Sequence, residues 1–178
     1  MEATTGPEAA GRLAADLVAA YAAQLDAYRE WLALAREAQQ YLHNDDLDEF
    51  LRVHARKEAV TGRLHEMEQR VQACRRGLAP ILGTDEPTLS HLQQAVSRIA
   101  DPLFAEAVTD LPPLLEELRT VMQELQAVEG ATEEMLRDRL LRLRADITQT
   151  QAARRATRAY QKPDPASDPE PRFIDHRG

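Results

Sequence analysis

The 178-residue chain carries 22 Lys and Arg against 30 Asp and Glu, a net charge of −8 at pH 7, with one Cys, 7 Gly and 4 % aromatic residues. That length suits one domain with or without a tail, and the acidic balance lacks the electrostatic footprint of non-specific nucleic-acid or anionic-membrane binding. The single cysteine excludes an internal disulfide framework, no apolar run is long enough to insert in a membrane, and acidic Met1–Thr5 is unlike a secretory signal, so the sequence reads as soluble and cytoplasmic.

Ala, Leu, Arg, Glu and Gln crowd the chain and β-branched runs are absent. These are the strongest helix formers, and scarce aromatics suit long packed helices better than a thick α/β core. The expected class is all-α: an elongated antiparallel hairpin or bundle of three long helices, a short helical connector and a disordered tail. The bundle is expected over about residues 1–162, with helices near 7–43, 45–82, 88–99 and 111–160 and a Pro-rich tail over 163–178.

The first helix is predicted to start at Pro7 with Thr5 as its cap, and to run unbroken to His43. Leu17, Val18, Tyr21, Leu25, Tyr28, Trp31, Leu32, Ala35, Ala38 and Leu42 keep one apolar stripe in register along it. The break falls at Asn44-Asp45-Asp46-Leu47, where Asn44 is expected to take the left-handed conformation and Asp45 or Asp46 to cap the next helix. So short a connection folds the second helix back antiparallel. That helix carries a coiled-coil seam at Phe50, Val53, Lys57, Val60, Leu64, Met67, Val71, Cys74, Leu78 and Ile81, interrupted only at Lys57, whose ammonium can snorkel to the edge. Pro80 sits near its end, and Gly83 just past it closes the helix.

Beyond Gly83, four prolines from 87 to 113 permit only a short helix and one further turn from Asp101, and Asp110 with Pro112 and Pro113 is expected to start the third long helix. Its seam reads Leu118, Val121, Leu125 and Val128, then resumes at Leu136, Leu140, Leu143 and Ile147. The phase slips near Gly130, as a kink, a break or a stutter would each produce, and Thr132 before Glu133 and Glu134 could restart a helix. Four prolines within 163–171 then forbid helix and sheet pairing. Charge is uneven: residues 1–130 are net −10, 131–162 net +4 and the rest net −2.

Little of this resembles catalytic chemistry. A metal site on a bundle needs a carboxylate three residues before a histidine, but Gln40, Leu51, Gly62, Thr88 and Phe173 precede His43, His54, His65, His91 and His176. The acids Asp45, Asp46, Asp48 and Glu49 lack the glycine turn of a calcium loop and suit a helix N-terminus. Cys74 on an apolar seam reads as a buried, inert thiol. No metal, cofactor or catalytic group is expected. The basic run Arg137, Arg139, Arg142, Arg144, Arg154, Arg155, Arg158 and Lys162 reads first as a solvated helix face, next as a docking surface for an acidic protein; with no stacking aromatic before Tyr160, nucleic acid comes last.

The arrangement resembles the FlgN family of flagellar export chaperones. The resemblance rests on the long first helix, the turn Asn44-Asp45-Asp46-Leu47, Phe50 with Arg56-Lys57-Glu58, the leucine seam, Leu111-Pro112-Pro113-Leu114-Leu115, Tyr160 and the Phe173-Ile174-Asp175-His176-Arg177 end. Asn44 stands where the family has glycine, and Tyr160 is followed by Gln161-Lys162-Pro163 rather than soon by glycine. The FliT-type chaperones share the first hairpin but are usually shorter. The resemblance implies a cytoplasmic carrier that binds the aggregation-prone helical termini of hook–filament junction proteins and brings them to the type III export gate. Such a carrier needs an apolar stripe that its own fold does not use, which the third helix can supply: Leu125, Val128, Met135, Leu136, Leu140, Leu143 and Ile147. The same residues would equally complete an internal three-helix core. Tyr160, Phe173 and Ile174 are the candidates for gate docking. The alternative reading is a coiled-coil adaptor that self-associates as a homodimer.

Overall fold

The computed structural model describes residues 6–161. Thr5 and the whole 163–178 segment, with Phe173 and Ile174, lie outside the described residues. Four helices follow one another, α1 (Pro7–His43), α2 (Leu47–Leu82), α3 (Leu89–Ala95) and α4 (Pro102–Gln161), with no strand among the described residues. The fold is all-α, with α1, α2 and α4 packed against each other. The chain divides into two units, residues 1–135 and 136–178.

In the first unit, Pro7 opens α1 behind Gly6, which supplies no side-chain cap. The turn into α2 corrects the expectation for Asn44. Asn44 keeps φ −82°, and Asp45 takes the left-handed conformation at φ 67°. The hydrogen bonds explain the one-residue difference: the Asp46 N–H reaches the Tyr41 carbonyl (2.9 Å) and the Asp45 N–H the Leu42 carbonyl (3.3 Å), a Schellman closure whose left-handed residue must be the second after His43. Asp46 then caps α2, its Oδ1 accepting from the Glu49 N–H at 3.2 Å. Gly83 ends α2 at φ 70°, a conformation that a side chain would strain.

The connector helix is shorter than expected. Thr88 and His91 form a reciprocal capping box at its start, but α3 stops at Ala95 and residues 96–99 turn. The chain must leave helical geometry before Pro102, and Asp101 is needed as the next cap. Asp101 Oδ1 accepts from the Phe104 N–H at 3.0 Å, so α4 begins at Pro102 and not near residue 111. Pro112 and Pro113 therefore lie inside a helix rather than at its start. They deprive the Val108 and Thr109 carbonyls of their usual donors, at a cost of about 3 kcal/mol for an interior proline. Phe104, Ala107, Val108 and Leu111 are all buried around that point. Burying each large side chain contributes about 1.5–3 kcal/mol, enough to carry the helix through. Gly11 admits this start: a Cβ there would collide with the Asp101 carboxylate.

α1 is buried on two faces. Ala27, Leu34 and Ala38 pack with Val53, Val60 and Leu64 of α2, while Leu32 and Ala35 pack with Leu125 of α4. A third cluster joins Ala10, Ala14 and Leu17 to Val71, Leu78, Leu92 of α3, and Phe104 and Leu111 of α4. The α2 seam lies where its spacing put it, with Val53, Lys57, Val60, Leu64, Val71 and Leu78 buried.

Candidate functional site

α4 continues through Gly130 without a break, which resolves the slip in the apolar pattern. Stepping from Leu125 by four and three gives Glu129 and Thr132, both polar, and both occupy the seam. Thr132 is buried, its hydroxyl donating to the Val128 carbonyl at 2.8 Å instead of restarting a helix. Glu129 meets the lysine that interrupts the α2 seam: Lys57 Nζ lies 2.5 Å from Glu129 Oε1, and the same oxygen accepts from Trp31 Nε1 at 3.1 Å. The Lys57 side chain is only 10 % exposed. It does not snorkel to water; its charge is met by a carboxylate from a third helix. Spacing within α2 cannot show that partner, although a glutamate in seam phase on α4 was the available signal.

Ion pairs flank this contact. Arg36 holds Glu124 at 2.9 Å and Arg29 holds Glu117, joining α1 to α4, while Arg63–Glu30 (2.6 Å) and Arg56–Glu37 (3.1 Å) join α2 to α1. All are solvent-exposed, so each contributes at most about 1 kcal/mol. They orient more than they stabilise.

The predicted client-binding residues separate into two groups. In the first unit, Leu125 is buried with Leu32 and Ala35, Val128 packs on the same cluster, and Met135 is half-buried in a cavity lined by Gln39, Gln40, His43 and Asn44. Leu125 is buried in the internal core, and Val128, half-buried, packs against it. In the second unit Leu136 is half-buried, while Leu140, Leu143 and Ile147 are 55 %, 50 % and 56 % exposed. Their spacing of three and four places them on one face. Leu141, not among the expected residues, is equally exposed but off that face. Tyr160 is 92 % exposed; Phe173 and Ile174 lie outside the described residues.

Elsewhere the chemistry is quiet. Burial pushes the Cys74 thiol up, with Asp16 adding to the shift, so the sulfur is held protonated at neutral pH. Tyr21 and Tyr28 are raised as well, chiefly by burial. Among the described residues, no three His, Cys, Asp or Glu side chains gather as a metal site requires, and no helix is long and apolar enough to cross a membrane. Comparison with known proteins finds no matching family model, no matching curated protein and no matching solved structure.

Proposed function

We propose that the protein is a carrier chaperone of the flagellar type III export kind, binding the aggregation-prone helical termini of hook–filament junction proteins in the cytoplasm and delivering them to the export gate. The observation that carries this reading is the stripe Leu140, Leu143 and Ile147 on α4, three large aliphatic side chains on one face with half or more of their surface in water. A helix of the chain's own core buries such a face; a helix that receives a client segment holds it ready for an amphipathic partner. The sequence resemblance to FlgN-type chaperones supplies the client class, and Tyr160, standing free near the end of α4, is the candidate for the gate.

The test is light scattering on the full chain mixed with a purified hook–filament junction protein. The expected result is a stable complex that requires the client's terminal segment and is lost in Leu140→Asp/Ile147→Asp. If the substitutions also unfold the hairpin of α1 and α2, the stripe belongs to the core and the proposal fails.

A second reading rests on the same spacing. A stripe with coiled-coil periodicity fits a second copy of the chain, as in a structural adaptor. A free chain that is already a tight dimer and ignores the client would establish that reading instead.

A further inference from the structure

We propose that the first unit holds a binding site for a small apolar carboxylic acid, in the half-open cleft where the four helices meet, with the Arg75 guanidinium taking the carboxylate. Every residue lining that cleft lies within 1–135, so the site stands apart from the carrier reading. The cleft measures about 190 Å³ and is walled by five leucines, of which Leu17, Leu92 and Leu111 are buried in the core. An apolar cavity of about 150 Å³ suffices for benzene. The cleft therefore takes one phenyl or branched alkyl group and little beyond it, which favours a free acid over the C-terminal residue of a peptide.

Arg75 supplies the charge. It lines the cleft from α2, and its Nη2 donates to the Pro87 carbonyl, also on the wall, at 3.0 Å. Its positive charge acts on the Tyr21 hydroxyl of α1, against the effect of burial there. Arg29, Arg36, Arg52, Arg56, Arg63 and Arg119 each hold a carboxylate. Arg75 is half-buried, yet among the described residues no carboxylate lies within ion-pairing distance of it. A half-buried charge without a counter-ion is costly, and the Pro87 bond uses only one of the five N–H donors of a guanidinium. The rest of that fork matches a carboxylate, which gains charge-assisted hydrogen bonds beside an apolar wall. Thr88 also borders the cleft, but its side chain is committed to the α3 capping box. One convergent polar group on leucine walls is the pattern of a small-molecule site.

The experiment titrates the full chain, isotopically labelled for NMR, with phenylpropionate, isocaproate, phenylpropanamide and acetate. One or both of the apolar acids should bind, with shifts at Arg75 and Tyr21. The matching amide should bind at least about tenfold more weakly, because it brings no charge to the guanidinium, and acetate should not bind, because it brings no apolar body. Arg75→Gln should weaken the acid about tenfold or more and leave the amide unchanged, and Arg75→Lys should recover part of the loss without the planar fork. If Arg75→Gln does not fold, the acid and amide on the parent chain decide the matter alone. Equal binding of acid and amide would overturn the role of Arg75. Shifts away from Arg75 and Tyr21, or no binding of either apolar acid at up to about 10 mM, would overturn the site. An acetylated dipeptide ending in phenylalanine that binds more tightly than phenylpropionate would overturn the assignment to a free acid.

Discussion

Replacing Glu129 with alanine should loosen the first unit more than any surface glutamate would. The substitution removes the carboxylate 2.5 Å from Lys57 Nζ and the acceptor of the Trp31 indole N–H, leaving an ammonium whose side chain is 10 % exposed without its counter-charge. Breaking a fully buried ion pair costs about 3–5 kcal/mol. Glu129 is itself 35 % exposed, so water can partly replace it, and the expected loss is about 2–3 kcal/mol. For a unit of this size that lowers Tm by about 5–10 °C. Trp31 is the only tryptophan in the chain, so its fluorescence during urea unfolding reports on the site directly. Lys57→Met combined with Glu129→Gln should recover most of the loss, because the amide oxygen still accepts from the indole and no charge remains buried. A Glu129→Ala midpoint within about 0.5 kcal/mol of the parent would refute the reasoning, since that is the effect of an ordinary surface change.

Three further outcomes are expected. Leu64→Asp places a carboxylate on the buried α2 seam and should cost more than about 4 kcal/mol, seen as loss of the cooperative circular-dichroism transition; an unchanged melt would mean that this seam is not the core. Gly11→Ala should destabilise by about 1–3 kcal/mol because its Cβ collides with the carboxylate that caps α4, whereas Gly130→Ala, with open space around it, should stabilise the helix by up to about 1 kcal/mol. Stability should fall on the alkaline side: Cys74, Tyr21 and Tyr28 all have raised pKa values in the fold, so the unfolded chain loses those protons first. The contribution is complete below the ordinary values of 9.0 and 10.0 and is lost as pH climbs through the raised ones. Urea midpoints that stay flat above pH 9 would contradict it.

The sequence by itself determined the all-α class, the two helices of the hairpin and the α2 seam, because these depend on local quantities: helix propensity, the three-and-four spacing of apolar residues, and capping at Asp46 and Gly83. Local rules also brought the turn at Asn44–Asp46 within one residue; the error lay in which residue the Schellman hydrogen bonds push left-handed. Along α4 the local signals misled. Pro112 and Pro113 mark a helix start by propensity, yet the burial of Phe104, Val108 and Leu111 around them is a tertiary gain that outweighs two missing donors. The apparent slip at Gly130 came from following apolar residues alone, while the seam there is held by Glu129 and Thr132. Whether a leucine on α4 was core or free surface could not be told from spacing, since Leu125 and Leu140 obey the same periodicity. Only the packing of α1 against α4 decided it, by covering Leu125 with Leu32 and Ala35 and leaving Leu140, Leu143 and Ile147 in water. A period says which residues share a face, and only the folded chain says what that face meets.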